Sequence, residues 1–211
     1  GMPSTLFKTL SQLPVKNLTL VGNAPVLGIE AQKTAARTMK VPESYADGSL
    51  LLRNGQVSKL IVSVPAMAIY KMKEPFPIVK VLQEGQDIDI ELVAQGTLAE
   101  RIRAAKAGIG AFYTPTGSGT FVEKGKEVRQ IEGRQYVLEY AIKADFALIW
   151  AYKADRYGNL IYKGTSRTFN ATMAGAAAIT IAEVAELVEL GHLDPETIVT
   201  PGLYVDRVVK R

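Results

Sequence analysis

Two side-chain amides stand where open α/β sheets bind ligands, just past the carboxyl ends of strands. Asn23 lies in the turn Gly22-Asn23-Ala24-Pro25 that follows the β-rich run Leu18-Thr19-Leu20-Val21, and Gln95 follows the alternating run Ile88 to Val93. An amide in such a place donates to a developing oxyanion or to a substrate carboxylate without changing its own charge. If the two strands are neighbours, both amides project into one crevice. In the alternative, each bonds the backbone of its own turn, a frequent habit of Asn.

Other chemistry is sparse. The chain has no Cys, and His192 is its single histidine, in the polar turn Leu190-Gly191-His192-Leu193-Asp194-Pro195. That argues against disulfides, thiolate metal sites and triad hydrolysis, so no metal centre is expected. Gly117-Ser118-Gly119 brings backbone amides within reach of a phosphate or a carbonyl, but it lacks the third glycine of a dinucleotide fingerprint and the Lys of a P-loop. Arg167 and Asn170 suit an anion near a helix start, or, for the Arg, a surface or interface ion pair. Glu183, Glu186 and Glu189 recur every third residue and read as a solvated face. Glu100 is assigned to a capping box with Thr97. No Glu stands in a glycine-rich turn at a strand end, so the chain offers no carboxylate nucleophile of its own.

The elements that must position these residues follow from pattern. Over 211 residues, 47% apolar content supplies a sizeable core. Leu6, Phe7, Leu10 and Leu13 predict a helix capped by Ser4 and limited by Pro14. Leu50 to Gly55 reads as a short helix and Val57 to Val64 as a strand stopped by Pro65. Val26 to Tyr45 is divided between helix, from Ala31, Ala35 and Ala36, and loop. Lys71 to Gln86, with Pro75, Pro77 and Gly85, reads as an irregular or edge excursion. The Thr97/Glu100 box opens a helix from Leu98 to Ala107. Ala111 to Tyr113 and Phe146 to Tyr152 are strands, and Leu160 to Tyr162 returns as a hairpin partner across Gly158-Asn159. Phe169 to Ala178 is helical, Ile179 to Val188 gives strand and then a short helical or extended piece, and Tyr204 to Val209 closes the chain as a strand. Together these predict an α/β fold: a single domain over residues 1–211 with an open mixed sheet, largely parallel, flanked by helices, with a late antiparallel hairpin.

Lys and Arg number 25 against 21 Asp and Glu, a net +4 with the basic residues scattered, which argues against a nucleic-acid partner. No apolar stretch reaches the about 18 residues that a membrane helix needs, and no signal-peptide pattern opens the chain, so a soluble cytoplasmic protein is expected.

The runs Gln95-Gly96-Thr97-Leu98-Ala99-Glu100-Arg101-Ile102-Arg103-Ala104 and Phe112-Tyr113-Thr114-Pro115-Thr116-Gly117-Ser118-Gly119-Thr120 closely resemble the A (alpha) subunit of the 3-oxoacid coenzyme A-transferases, class I. Lys153-Ala154-Asp155-Arg156, Gly158-Asn159-Leu160, Arg167-Thr168-Phe169-Asn170 and Thr200-Pro201-Gly202-Leu203-Tyr204 continue the likeness, which covers nearly all of Ile88 to Val209 and, more loosely, Gly1 to Val64. The resemblance implies transfer of coenzyme A from an acyl-CoA to a short 3-oxo or related carboxylic acid through a glutamyl-CoA thioester. In the family the glutamate belongs to the B (beta) subunit, in a Ser-Glu-Asn-Gly context that this chain lacks. A hetero-oligomer with that B subunit is therefore implied, with coenzyme A entering as substrate and no permanently bound cofactor. Gln95 and Asn23 match polar residues facing the acyl group, and Gly96, Thr97, Gly117 and Gly119 are the expected substrate contacts. Rival implications are a CoA-thioester hydrolase or ring-opening relative, or a non-catalytic scaffold subunit. The sequence also departs from the family: no earlier strand precedes Gly1-Met2-Pro3, which implies a shortened amino terminus, Ala24-Pro25 replaces a second Asn, the Val26 to Ser49 region is longer, and Pro65 to Pro77 replaces a shorter loop.

Overall fold

The structure, a computed structural model, describes residues 1–29, 33, 41–65 and 75–211. The helical signal of Ala31, Ala35 and Ala36 and most of the Pro65 to Tyr70 departure lie outside the described residues. Chain packing divides the molecule into two compact units: Met2–Val93, and Gly1 with Ala94–Arg211. Each carries its own sheets, helices and core.

In the first unit, α1 (Ser4–Ser11), β1 (Leu18–Gly22), α2 (Ser49–Arg53), β2 (Val57–Val62), α3 (Pro77–Gln83) and β3 (Asp89–Leu92) follow in order, and the strands form a parallel sheet β1-β2-β3. The central strand buries Val57, Leu60 and Val62 against Phe7, Val26, Leu51, Leu52, Phe76, Ile78 and Val81. On the polar side Lys59 bonds Asp89 at 2.8 Å, which with Glu91 raises its pKa and pins the Lys59–Asp89 register. Two local expectations change. Ser4 does not cap α1: Pro3 holds the cap position, and the buried Ser4 hydroxyl donates to the Ala46 carbonyl at 3.1 Å and accepts its N–H at 3.0 Å. The proline-rich excursion contains α3, because Pro77 occupies a first helical turn where its missing N–H has no partner to lose, while Ile78 and Val81 bury one face.

The second unit begins with α4 (Gln95–Lys106). It continues through β4 (Ala111–Thr114), β5 (Val128–Ile131), β6 (Arg134–Tyr140), β7 (Ala144–Ala154), β8 (Leu160–Ile161), α5 (Arg167–Met173), β9 (Ala177–Leu187) and β10 (Arg207–Lys210). The α/β class and the mixed, open sheets are as expected, with the late hairpin formed by β7 and β8. The strands are shared among three sheets rather than gathered in one. Besides β1-β2-β3 there is β10-β9-β7-β8, parallel except at β8, and an antiparallel sheet β4-β6-β5. The last forms because strands joined by short turns pair only antiparallel. Its β5–β6 turn is Glu132-Gly133, both with positive φ (49° and 77°), a two-residue reversal that the Glu disguises in the sequence.

Strands β7 and β9 are hydrogen-bonded neighbours, and their Ala147, Ile149, Ala151, Ala154, Ala182 and Val184 side chains bury together in the core of this unit. Ile179 to Val188 proves to be one strand to Leu187, and its period of two sends Glu183 and Glu186 to opposite faces. Glu183 is fully buried with Arg211 Nε at 3.8 Å, and Glu186 pairs with Lys153 at 3.0 Å, so the three glutamates form no solvated face. No helix among the described residues is long and apolar enough to cross a membrane.

Gln56 fastens the α1–β1 connection. Its buried amide donates to the carbonyls of Leu10, Leu13 and Val15 at 3.3, 3.0 and 3.3 Å and accepts from Asn54 at 3.2 Å. Gln56→Ala strands part of this network and is expected to cost about 1–3 kcal/mol, read as a lowered midpoint in thermal or urea denaturation. An unchanged midpoint would show that the connection is held by other contacts.

Candidate functional site

Asn23 stands one residue beyond β1, as its turn implied, and its backbone carbonyl extends the parallel ladder by accepting from Ser63 N–H at 3.3 Å and Val64 N–H at 2.8 Å. Ser63 is likewise the first residue beyond β2. Among the described residues, the Asn23 Oδ1 and the Ser63 Oγ are the buried side-chain oxygens that have no hydrogen-bond partner. Asn23 therefore does not commit its amide oxygen to its own turn. An unpaired buried acceptor costs about 1–3 kcal/mol, a penalty that a ligand or a trapped water removes. Sequence reasoning missed Ser63, because a serine two residues before Pro65 reads only as a strand terminus.

The strands leading to Asn23 and Gln95 are not neighbours: β2 lies between β1 and β3. Asn23 and Gln95 also fall in different compact units, and each is described within its own. Gln95 is the first residue of α4, exposed, and its side-chain amide bonds no described residue. The helix opens from Ala94, whose carbonyl accepts Leu98 N–H at 2.8 Å, with no side-chain cap. Thr97 and Glu100 therefore make no capping box: both lie inside the helix, Thr97 buried with Leu98, Ile102 and Ala104. Glu100 is clasped by Arg103 at 2.6 and 2.8 Å, which holds its carboxyl below the usual range. Burial of Leu98 and Ile102 one turn apart sets the helix start, and propensity at Thr97 yields to it.

Helix α4 is tied to the antiparallel sheet through the buried Glu139, which takes Lys126 Nζ at 2.6 Å and Arg101 Nε at 3.8 Å. Arg101 also donates to the Tyr140 carbonyl at 2.8 Å. At the other end Lys106 lies 4.1 Å above the Tyr204 ring and bonds the Ala171 carbonyl, and burial lowers its pKa.

The Gly117-Ser118-Gly119 turn takes positive φ at both glycines (89° and 72°), and Gly119 N–H donates at 2.6 Å to Glu123 Oε2, toward which Ser118 Oγ also points at 3.4 Å. The turn is an anion cradle whose anion is the chain's own carboxylate. Asn170 is committed to structure, accepting Trp150 N–H at 2.9 Å and donating to the Ser166 carbonyl at 2.8 Å, while Arg167 and His192 are exposed. Asp155 and Asn159 also build scaffold. Asp155 accepts from Tyr157 N–H, Asn159 N–H and Asn159 Nδ2 at 2.9, 3.0 and 2.8 Å, and Asn159 Oδ1 holds Gly202 N–H at 2.8 Å. A Cβ on Gly202 would meet the Tyr157 carbonyl at 2.0 Å. No cluster of His, Cys, Asp and Glu suited to a metal occurs among the described residues.

The fold is similar to that of glutaconate coenzyme A-transferase from Acidaminococcus fermentans. That fold overlaps 98% of this chain and 65% of that one with a TM-score of 0.72 at 19% identity, a likeness of fold alone. The coenzyme A transferase sequence profile matches residues 1–211, and the chain belongs to that family. It is 44% identical over 209 residues to the A subunit of 3-oxoadipate CoA-transferase from Acinetobacter baylyi, covering 99% of this chain and 82% of that protein. It is 43% identical over 210 residues to the A subunit of the probable succinyl-CoA:3-ketoacid coenzyme A transferase from Bacillus subtilis, covering 99% and 78%.

Gly96 gives a test of the α4 start. Its φ is not positive, and a Cβ there meets nothing within 4 Å, so neither backbone nor neighbours among the described residues require glycine. Gly96→Ala is expected to stabilise the chain by up to about 1 kcal/mol, seen as a raised unfolding midpoint, while lowering activity if a ligand passes there. A variant that is both more stable and fully active removes Gly96 from the site.

Proposed function

We propose that this chain is the A subunit of a coenzyme A-transferase that moves coenzyme A between an acyl-CoA and a short 3-oxo or related carboxylic acid, its residues 1–211 acting as one family domain. Similarity over 99% of the chain to proteins named as A subunits carries this reading. The nucleophile comes from the partner B subunit, whose glutamate attacks the thioester carbonyl to form an acyl-glutamyl anhydride and expel the coenzyme A thiolate. The thiolate then attacks the glutamyl carbonyl, giving the glutamyl-CoA thioester and releasing the donor's acyl group as its carboxylate with one glutamate oxygen. An acceptor carboxylate then takes the coenzyme A and restores the glutamate. This chain supplies neutral donors to the acyl oxygen, whose negative charge rises as the glutamate attacks. Uncharged amides suit the task because an added carboxylate would repel the incoming acid. Gln95 begins a helix fastened by Arg101 and Glu139, so its amide is placed without ordering a loop at the moment of reaction. Asn23 is fixed by the ladder bonds of its own carbonyl. Gly96 and Thr97 lie in the first turn of α4, Gly96 exposed and Thr97 buried, and the Gly117-Ser118-Gly119 amides reach a substrate oxygen by exchanging Glu123 for it. Coenzyme A enters as substrate, no resident cofactor is needed, and a site closed against water keeps the thioester from hydrolysis.

Two outcomes test this reading. The purified chain alone is expected to exchange no coenzyme A between acids, and mixing it with a B subunit carrying Ser-Glu-Asn-Gly restores exchange. Transfer by the single chain, or release of free coenzyme A by the pair without an acceptor acid, overturns it. In the assembled pair, Gln95→Ala is expected to lower turnover by about 10²–10³-fold, as loss of one oxyanion donor does. Its unfolding midpoint should stay unchanged, because the exposed Gln95 amide bonds none of the described residues. Loss of activity in proportion to loss of stability would make Gln95 a structural residue instead.

A further inference from the structure

We propose that Ser63 is a substrate-binding residue, its hydroxyl donating to an oxygen of the acyl group or acceptor acid beside the Asn23 amide; this rests on the coenzyme A transfer reading above. Both residues lie in the Met2–Val93 unit, immediately past the carboxyl ends of adjacent parallel strands. Their proximity is fixed by backbone bonds, since Asn23 O accepts the N–H of Ser63 and of Val64 at 3.3 and 2.8 Å. Their side-chain oxygens are both buried and both unpartnered. Native chains pair the large majority of buried side-chain polar atoms, so two orphans on adjoining strand ends are a concentrated defect rather than scatter. They occur on the edge of a parallel sheet where ligands bind, which gives the defect a use.

The chemistry fits an oxygen-rich substrate. A serine proton rotates to whatever acceptor arrives, and carboxylates and thioester carbonyls present acceptors. The Asn23 oxygen accepts only, and takes a donor from the same ligand or from a water that the ligand brings. Strand order adds the third element: β2 lies between β1 and β3, so Ser63 occupies the central position of the carboxyl edge of that sheet.

The test uses the assembled pair with wild type, Ser63→Ala and Ser63→Thr. Ser63→Ala removes a buried hydroxyl that bonds none of the described residues, so its unfolding midpoint is expected to equal or exceed that of wild type. Its kcat/KM is expected to fall about tenfold or more, with a raised KM for the acid, and Ser63→Thr, which keeps the hydroxyl, recovers most of the loss. Unchanged kinetics in Ser63→Ala, or an activity loss that tracks a lowered midpoint, overturns the assignment. An active wild-type pair with an indifferent Ser63→Ala sinks this inference alone. A wild-type pair that transfers no coenzyme A sinks the transfer reading and this inference with it.

Discussion

Parallel pairing of β2 with a strand on each side is the constraint from which the first unit follows. Parallel strands need crossover connections, and those crossovers carry α2 and α3, whose buried faces complete the core around Leu60 and Val62. The same pairing makes the strands run one way, so their carboxyl ends share an edge, and Asn23 and Ser63 arrive there together. Moving β2 by one residue would turn Leu60 and Val62 out of the core and Lys59 into it. The Lys59–Asp89 contact guards against that slip, and so the polar face of the sheet fixes the position of the oxygens at its edge.

The family landmarks separate into two kinds once their bonds are known. Asp155, Asn159, Gly202 and Asn170 serve the fold: their hydrogen bonds hold a turn or a helix entry, and Gly202 leaves no room for a side chain. Asn23, Ser63 and Gln95 retain side-chain groups that no described residue bonds. Residue identity alone does not distinguish these kinds, since Asn159 and Asn23 both stand in turns.

What the sequence revealed depended on how local the deciding interaction was. The Leu18 and Val57 strands, the Leu160 return and the presence of α1 were legible because alternation, turn residues and helical spacing act within a few positions. The capping box failed because Leu98 and Ile102 set the helix start by burial, and the Glu183 face failed because a period of three means nothing on a strand. Pro77 was read as a breaker when it was a first-turn residue. Of the proposed site residues, Asn23 and Gln95 were candidates from their places after strands. Ser63 was invisible, since its meaning lies in a missing bond, and a missing bond exists only in three dimensions.

The margins of the later sheets, β4, β5, β8 and β10, are short, and β5 and β10 are charged. Strands β5 and β10 have four residues each and carry Arg129, Arg207 and Lys210, while the opposite margin of the β10-β9-β7-β8 sheet is the two-residue β8. Such margins make poor templates for strand addition by another molecule. Strand β10 covers Ile181 to Val184 of the long β9, whereas β8 covers only Lys153 and Ala154 of β7, so along most of its length β7 is held in the sheet by β9 alone.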